Sequence, residues 1–170
     1  MKEKSIFGHC IHLQKREIDL LKEIKSSVAH CPTSNTFIGS GIFDLKKILD
    51  NKINIGLATD TGGGTSFSML KTISETYKIS QLNNFSIHPA QLLWLATVGS
   101  SQTLGLENNI GNILKGHFAD LIIINLDSTK EIEQRRSMAE NFWEELFPTL
   151  LMGDDRAIES TWISGNEIKV

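Results

Sequence analysis

The sequence predicts an α/β fold of parallel β/α units followed by a mixed ending rich in strand, and three observations carry that prediction. Short apolar runs alternate with stretches of helical period up to about Gly105. The first three runs end in His9, His30 and Asp60, polar residues of the kind placed where parallel strands stop. Beyond Gly105 the alternation is lost, and two strand candidates close the chain.

The first run, Ser5 to Gly8, precedes a helix over Lys15 to Ser26 with Ile18, Leu21 and Ile24 on one face. The second, Ser27 to Ala29, leads into His30-Cys31-Pro32, and a helix over Phe43 to Asn51 turns Leu45, Ile48 and Leu49 inward. The third, Ile53 to Ala58, ends at Thr59-Asp60. A helix over Ser66 to Leu82 follows, with Phe67, Leu70, Ile73 and Tyr77 at helical spacing. Pro89 suits a first helical position, so a helix is expected from there to Val98, then a short one from Ser101 to Leu104 stopped by Gly105. Gly111 and Gly116 bracket a turn-rich stretch. Ala119 to Ile124 reads as a buried strand, and Ser137 to Phe147 as a helix whose end Pro148 disturbs. Ile158 to Ile163 and Glu167 to Val170 are strand candidates joined by a hairpin turn at Ser164-Gly165-Asn166.

Composition bounds the function. The chain has 170 residues, 40% hydrophobic and 22% charged, as for one ordinary globular domain. A formal net charge of −3 gives no electrostatic reason to expect nucleic acid or a membrane surface as partner. No apolar run approaches the roughly 20 residues that span a bilayer, and the opening residues do not read as a signal peptide. Cys10 and Cys31 are too few for a disulfide scaffold and form no Cys-x-x-Cys pair. They read as plain thiols in a reducing cytoplasm.

His9, His30 and Asp60 would share one rim of a parallel barrel, where imidazole and carboxylate suit zinc binding and proton exchange. That pattern suggests metal-assisted hydrolysis. Each residue alone also has a structural reading: a hydrogen-bonded His after a strand, or an Asp forming a turn before glycines. Gly62-Gly63-Gly64 lacks the Lys of a phosphate-binding loop, and is either a close-approach loop or a turn. The His-x-Glu with Pro-Cys-x-x-Cys of cytidine-type zinc deaminases is absent. His12, His88 and His117 have no partner at ligand spacing and read as surface or structural residues.

Gly8-His9, Ala29-His30-Cys31-Pro32-Thr33-Ser34-Asn35 and Gly56-Leu57-Ala58-Thr59-Asp60 resemble strands six, seven and eight of the amidohydrolase-superfamily deaminases. Within that superfamily the guanine deaminases are the nearest likeness. They share the style of Ser40-Gly41, Thr59 to Thr65, Ser68-Met69-Leu70, Leu95-Ala96-Thr97, Leu104-Gly105-Leu106, Ile110-Gly111-Asn112 and, most tellingly, Gly153-Asp154-Asp155-Arg156. The resemblance implies a distorted (β/α)8 barrel, of which residues 1–105 supply about three strands. Residues 106–170 would return to the barrel and enter a small β-sandwich. It implies hydrolysis of guanine to xanthine and ammonia with a zinc cofactor, in an enzyme that is a homodimer at full length. Asp60 matches the metal ligand that also takes the water's proton and faces the substrate. His9 matches the residue that orients the hydroxide and stabilises the developing oxyanion. His30 falls where the family requires no His, and is expected to be structural.

The chain departs from the family in lacking the His-x-His and His-x-x-Glu motifs that supply the other zinc ligands and the general acid. A (β/α)8 barrel takes about 250 residues. The expectation is therefore a truncated deaminase, inactive alone and prone to association. A half whose complement is a second polypeptide, or a non-catalytic remnant, is the alternative. So is a deaminase of another aminated heterocycle.

Overall fold

The computed structural model describes residues 4–168. Strands β1 (Ile6–Gly8), β2 (Ser27–His30) and β3 (Ile55–Leu57) form a parallel sheet in the order β1-β2-β3. Gly8 lies beside Ala29 and His30 beside Leu57, so all three strands stop at one edge. Helix α1 (Lys15–Glu23) connects β1 to β2, and α2 (Pro32–Ile38) and α3 (Leu45–Asp50) connect β2 to β3. Helices α4 (Met69–Leu82), α5 (Pro89–Ala96) and α6 (Val98–Leu104) follow, with α5 and α6 packed on β3. Val28, Ile55, Leu57, Leu92 and Leu95 are buried in one core with Ile18, Leu21, Leu45 and Ile48.

Gly56 permits the approach of α6 to β3. A Cβ there would lie 2.6 Å from the Ser100 Cα, and the Leu57 amide donates to Ser100 Oγ at 3.3 Å. Any larger residue would push α6 off the sheet.

The second sheet is antiparallel, in the order β4 (Leu121–Ile124), β5 (Ile158–Ile163), β6 (Asn166–Ile168). Ser164 and Gly165 both have positive φ, 50° and 78°, as a two-residue type I′ hairpin requires. The expected strand from Glu167 to Val170 begins one residue earlier, and its last two positions lie outside the described residues.

Four expectations need correction. The strand at Leu121–Ile124 is not buried: Ile122 and Ile123, on opposite faces, are 48% and 45% exposed. Among the described residues β5 is its only strand neighbour, and neither face is fully covered. Phe67 does not face inward: it is 85% exposed, because the helix begins at Met69 after the N-cap Ser68. The helix expected over Ser137 to Phe147 starts later and runs further, as α8 (Phe142–Met152), and a separate helix that was not expected, α7 (Lys130–Arg136), precedes it. Pro148 sits buried within α8 without ending it. Finally, α2 was not expected; its residues Thr33, Ser34 and Asn35 are polar yet buried.

His30 belongs to this core. It is 1% exposed, stacks on Phe43 at 4.4 Å between ring centroids, and neither ring nitrogen has a partner. Burial lowers its pKa from 6.5 to about 3, so the folded chain holds it neutral. Its structural assignment agrees with that setting. The unfolded chain takes up a proton near the ordinary value while the folded chain refuses it until much lower pH. The stability this neutral ring permits is thus intact above pH 6.5 and lost progressively as pH falls towards 3. Urea unfolding should show a lower midpoint at about pH 5 than at about pH 7, and His30→Leu should flatten that acid limb. An unchanged pH profile in the variant would contradict the assignment.

Candidate functional site

The parallel register fixes where the polar strand ends meet. The His9 amide donates to the Ala29 carbonyl at 3.0 Å, and the Ala58 amide to the His30 carbonyl at 2.9 Å, extending the ladder one step past β1 and β3. The chain then turns sharply. His9, Cys10 and Asp60 have φ of 65°, 52° and 49°, a left-handed conformation uncommon outside glycine. Such backbone persists only where its surroundings hold it, and it often marks functional positions.

These turns bring His9 and Asp60 together: Nε2 of His9 lies 3.7 Å from Oδ2 of Asp60, with the side chains 47% and 37% exposed. His30, at the end of β2, instead points into the core and takes no part. Sequence reasoning overlooked two further residues at this rim. Nδ1 of His9 is 2.8 Å from Oδ1 of the buried Asn35, across 26 positions of sequence. A carbonyl oxygen only accepts, so the ring proton sits on Nδ1 and donates to Asn35, leaving Nε2 free towards Asp60. Cys31 is the second. One donor atom each from His9, Cys31 and Asp60 lie within 4.8 Å of one another. Burial pushes the Cys31 thiol up, the Asp60 charge adds to that, and a backbone hydrogen bond from His9 partly opposes it. The thiol donates to the Ala29 carbonyl at 3.4 Å. The sequence signal for both residues was their place as the first and last residues of the quoted Cys-Pro-x-Ser-Asn segment.

The glycine loop is a close-approach loop around Asp60. The Gly63 and Gly64 amides both donate to the Asp60 carbonyl. A Cβ on Gly64 would stand 2.0 Å from the Thr59 carbonyl oxygen, and one on Gly63 3.1 Å from Asp60 Oδ2. Thr33 Oγ1 donates to the Thr59 carbonyl at 3.3 Å, tying α2 to the same turn.

The donor set fits a divalent metal. Imidazole, thiol and carboxylate are all zinc donors, and His9 offers its second nitrogen to a polar partner, an arrangement typical of metal-bound His residues. A groove of about 1280 Å³ lined by Tyr77, His88, Glu131, Trp143 and Phe147 lies elsewhere, between α4, α5, α7 and α8, and contains none of these rim residues. His12 bonds the Ser40 carbonyl and His88 caps α5, both structural uses.

Asn35→Ala should release the His9 ring. The expected outcome is loss of the slowly exchanging Nδ1 proton signal in imidazole NMR, with a stability loss of about 1 kcal/mol. Retention of that signal would show that Asn35 does not set the tautomer.

Comparison with known proteins gives the lineage. The chain is 41% identical to guanine deaminase of Escherichia coli K12 over 160 residues, 94% of this chain but 36% of that protein. The solved E. coli enzyme matches with a TM-score of 0.96 at 40% identity, covering 99% of this chain and 40% of that one. A guanine deaminase from C. acetobutylicum, solved with guanine in its active site, matches at 0.83 and 27% identity, over 96% and 39%. A zinc-bound adenosine deaminase from Xanthomonas campestris, 24% identical with a TM-score of 0.81 over 95% and 36%, shares the fold. The chain thus spans well under half the length of the relatives it matches. A family model for amidohydrolases matches residues 1–168, and with the parallel sheet and its polar rim this shows that the chain belongs to the amidohydrolase family.

Proposed function

We propose that this chain forms one wall of the active site of a guanine deaminase, an enzyme that hydrolyses guanine to xanthine and ammonia. The observation that carries the reading is the approach of His9 and Asp60 to 3.7 Å at the mouth of the parallel sheet. The named relatives, one of them holding guanine, support the substrate. On this reading residues 1–105 belong to the barrel, and residues 106–170 return to it through α7 and α8 before entering the β-sandwich. The free thiols Cys10 and Cys31 suit a reducing cytoplasm. Among the described residues no helix is long and apolar enough to cross a membrane.

Asp60 is the residue of this chain that would hold zinc, and its second oxygen is placed to accept a proton from the attacking water. When bound, zinc supplies the Lewis acidity that makes water nucleophilic near neutral pH. His9 orients that water and, with a proton on each ring nitrogen, would donate from Nδ1 to Asn35 and from Nε2 to the negative charge that builds on oxygen at the ring carbon under attack. Asn35 fixes the ring for this work, and the glycine loop keeps Asp60 in its strained turn. Asp60 also borders the substrate. The further zinc ligands and the acid that protonates ring nitrogen and amine would come from sequence matching the remainder of the relatives.

The test is reconstitution. Mixing the chain with the upstream portion of a related enzyme, guanine and zinc should yield xanthine, while the chain alone should be inactive. Asp60→Asn should lower the reconstituted rate by about a thousandfold. A reconstituted, folded mixture without xanthine formation would defeat the reading; ammonia released from cytosine or a triazine instead would reassign the substrate.

A further inference from the structure

We propose that the groove between the C-terminal ends of α1 and α3 binds a phosphate dianion on Lys22, Lys25, Lys52 and Ser26. Ser26 and Asn54 in this groove directly precede β2 and β3, so it lies at the edge of the parallel sheet opposite His9 and Asp60. The site shares no residue with the deaminase reading and stands or falls separately from it.

The two helices end in the same way. The Ser26 amide donates to the Leu21 carbonyl at 2.9 Å and the Lys25 amide to the Lys22 carbonyl at 3.2 Å. Likewise the Ile53 amide donates to the Ile48 carbonyl at 3.3 Å and the Lys52 amide to the Leu49 carbonyl at 2.9 Å. Such double bonding sets one residue past the helix end in left-handed backbone, where glycine is usual and asparagine next. Here it is lysine both times, Lys25 with φ of 50° and Lys52 with φ of 55°. Helix α4 ends in the same motif, the Phe85 amide on the Ser80 carbonyl, but with Asn84 at the left-handed position, φ 54°. Lysine thus stands twice where the backbone disfavours it, and both side chains line one groove of about 550 Å³ with Lys22.

Electrostatics give those positions a use. Among the described residues, none of the three lysine ammonium groups has an ion-pair or hydrogen-bond partner. The carboxylate lining the groove, Asp50, is already paired with Lys46. Lysine at a helix C-terminus also has an ordinary role, offsetting the negative end of the helix dipole. Magnitude decides between the two: a pair of helix ends carries about one negative charge against three ammonium groups, so roughly two positive charges remain unanswered. Ser26 supplies a second, independent sign of a ligand. It lines the same groove at 3% exposure, and its hydroxyl has no hydrogen-bond partner. A buried hydroxyl without an acceptor is costly, and an anion seated among the lysines provides one. Phosphate matches the set, with two charges to answer the excess and oxygens that accept from point-like ammonium groups and a hydroxyl.

Inorganic phosphate, titrated into the full chain at constant ionic strength and about pH 8, where it is a dianion, tests this with backbone amide NMR as the readout. The expected result is saturation at one equivalent, with shifts at Lys22, Lys25, Ser26, Lys52 and Asn54 and none at His9 or Asp60. Chloride at the same ionic strength should give no saturating shift. Lys25→Asn combined with Lys52→Asn, which gives both helix ends the residue type of Asn84, should weaken binding by more than about tenfold. Ser26→Ala should weaken it about fivefold, while Lys130→Gln on α7 should leave it unchanged. If the double variant does not fold, the shift map of the unaltered chain and Ser26→Ala decide the matter. Shifts that never saturate, shifts spread evenly over other surface lysines, or full affinity in the double variant would overturn the site.

Discussion

Everything at the candidate site depends on the parallel register of β1, β2 and β3. Pairing Gly8 with Ala29 and His30 with Leu57 stops three strands at one edge, and it is this pairing that brings residues 9, 31 and 60 within reach of each other. A one-residue slip of either outer strand would turn its inward side chains outward and separate the donors. At β3 the register is held by apolar burial on both faces, while Ile6 and Gly8 of β1 remain exposed. Ile55, Gly56 and Leu57 are all buried, as parallel strands covered by helices require, and Gly56 lets α6 lie directly on β3.

Left-handed backbone at His9, Cys10 and Asp60 works against that stability, at a cost of order 1–3 kcal/mol for each residue in a sparsely populated region. The compensations are visible. Two loop amides grip the Asp60 carbonyl, Thr33 fastens the preceding turn, and Asn35 anchors the His9 ring. His and Asp tolerate this conformation better than most residues. The same residue types that suit proton and metal chemistry therefore also suit the turns that aim them.

How much of this was legible in the sequence differs by element. The three parallel strands could be read because each is a short apolar run ending in a polar residue. The closing hairpin could be read because Ser-Gly-Asn punctuates two β-rich runs. Helix α2 was hidden: Pro-Thr-Ser-Asn-Thr has weak helix propensity and no apolar period, and the helix forms because Pro32 starts it and Gly39 ends it in left-handed geometry. Helix α7 carries one buried apolar residue, Ile132, among six charged or amide side chains, so periodicity had nothing to register. The exposure of Ile122 and Ile123 was illegible for a different reason. An apolar run states that a strand seeks cover, not that these residues receive it from this chain. At the site, His9 and Asp60 could be found from strand ends, whereas the parts of Asn35 and Cys31 depend on a turn of helix that the sequence did not announce.

The distribution of determinants along the chain separates two requirements of the proposed chemistry. Register, ring anchor, glycine loop and left-handed turns all lie between Ile6 and Gly64, so the geometry that aims the imidazole and carboxylate at each other is encoded locally. The electrostatic environment is not. His9 and Asp60 remain partly exposed, where water screens the field that would make their interaction with a substrate strong. Ile38, Ile42 and Phe67, near the same loops in sequence, are also largely exposed. Apolar surface of that kind, beside a strained polar rim, is what a covering element would bury while excluding water from the site. Positioning can thus precede enclosure: on the proposed reading this chain holds His9 and Asp60 in place to handle protons, and the full catalytic effect would require a cover over them.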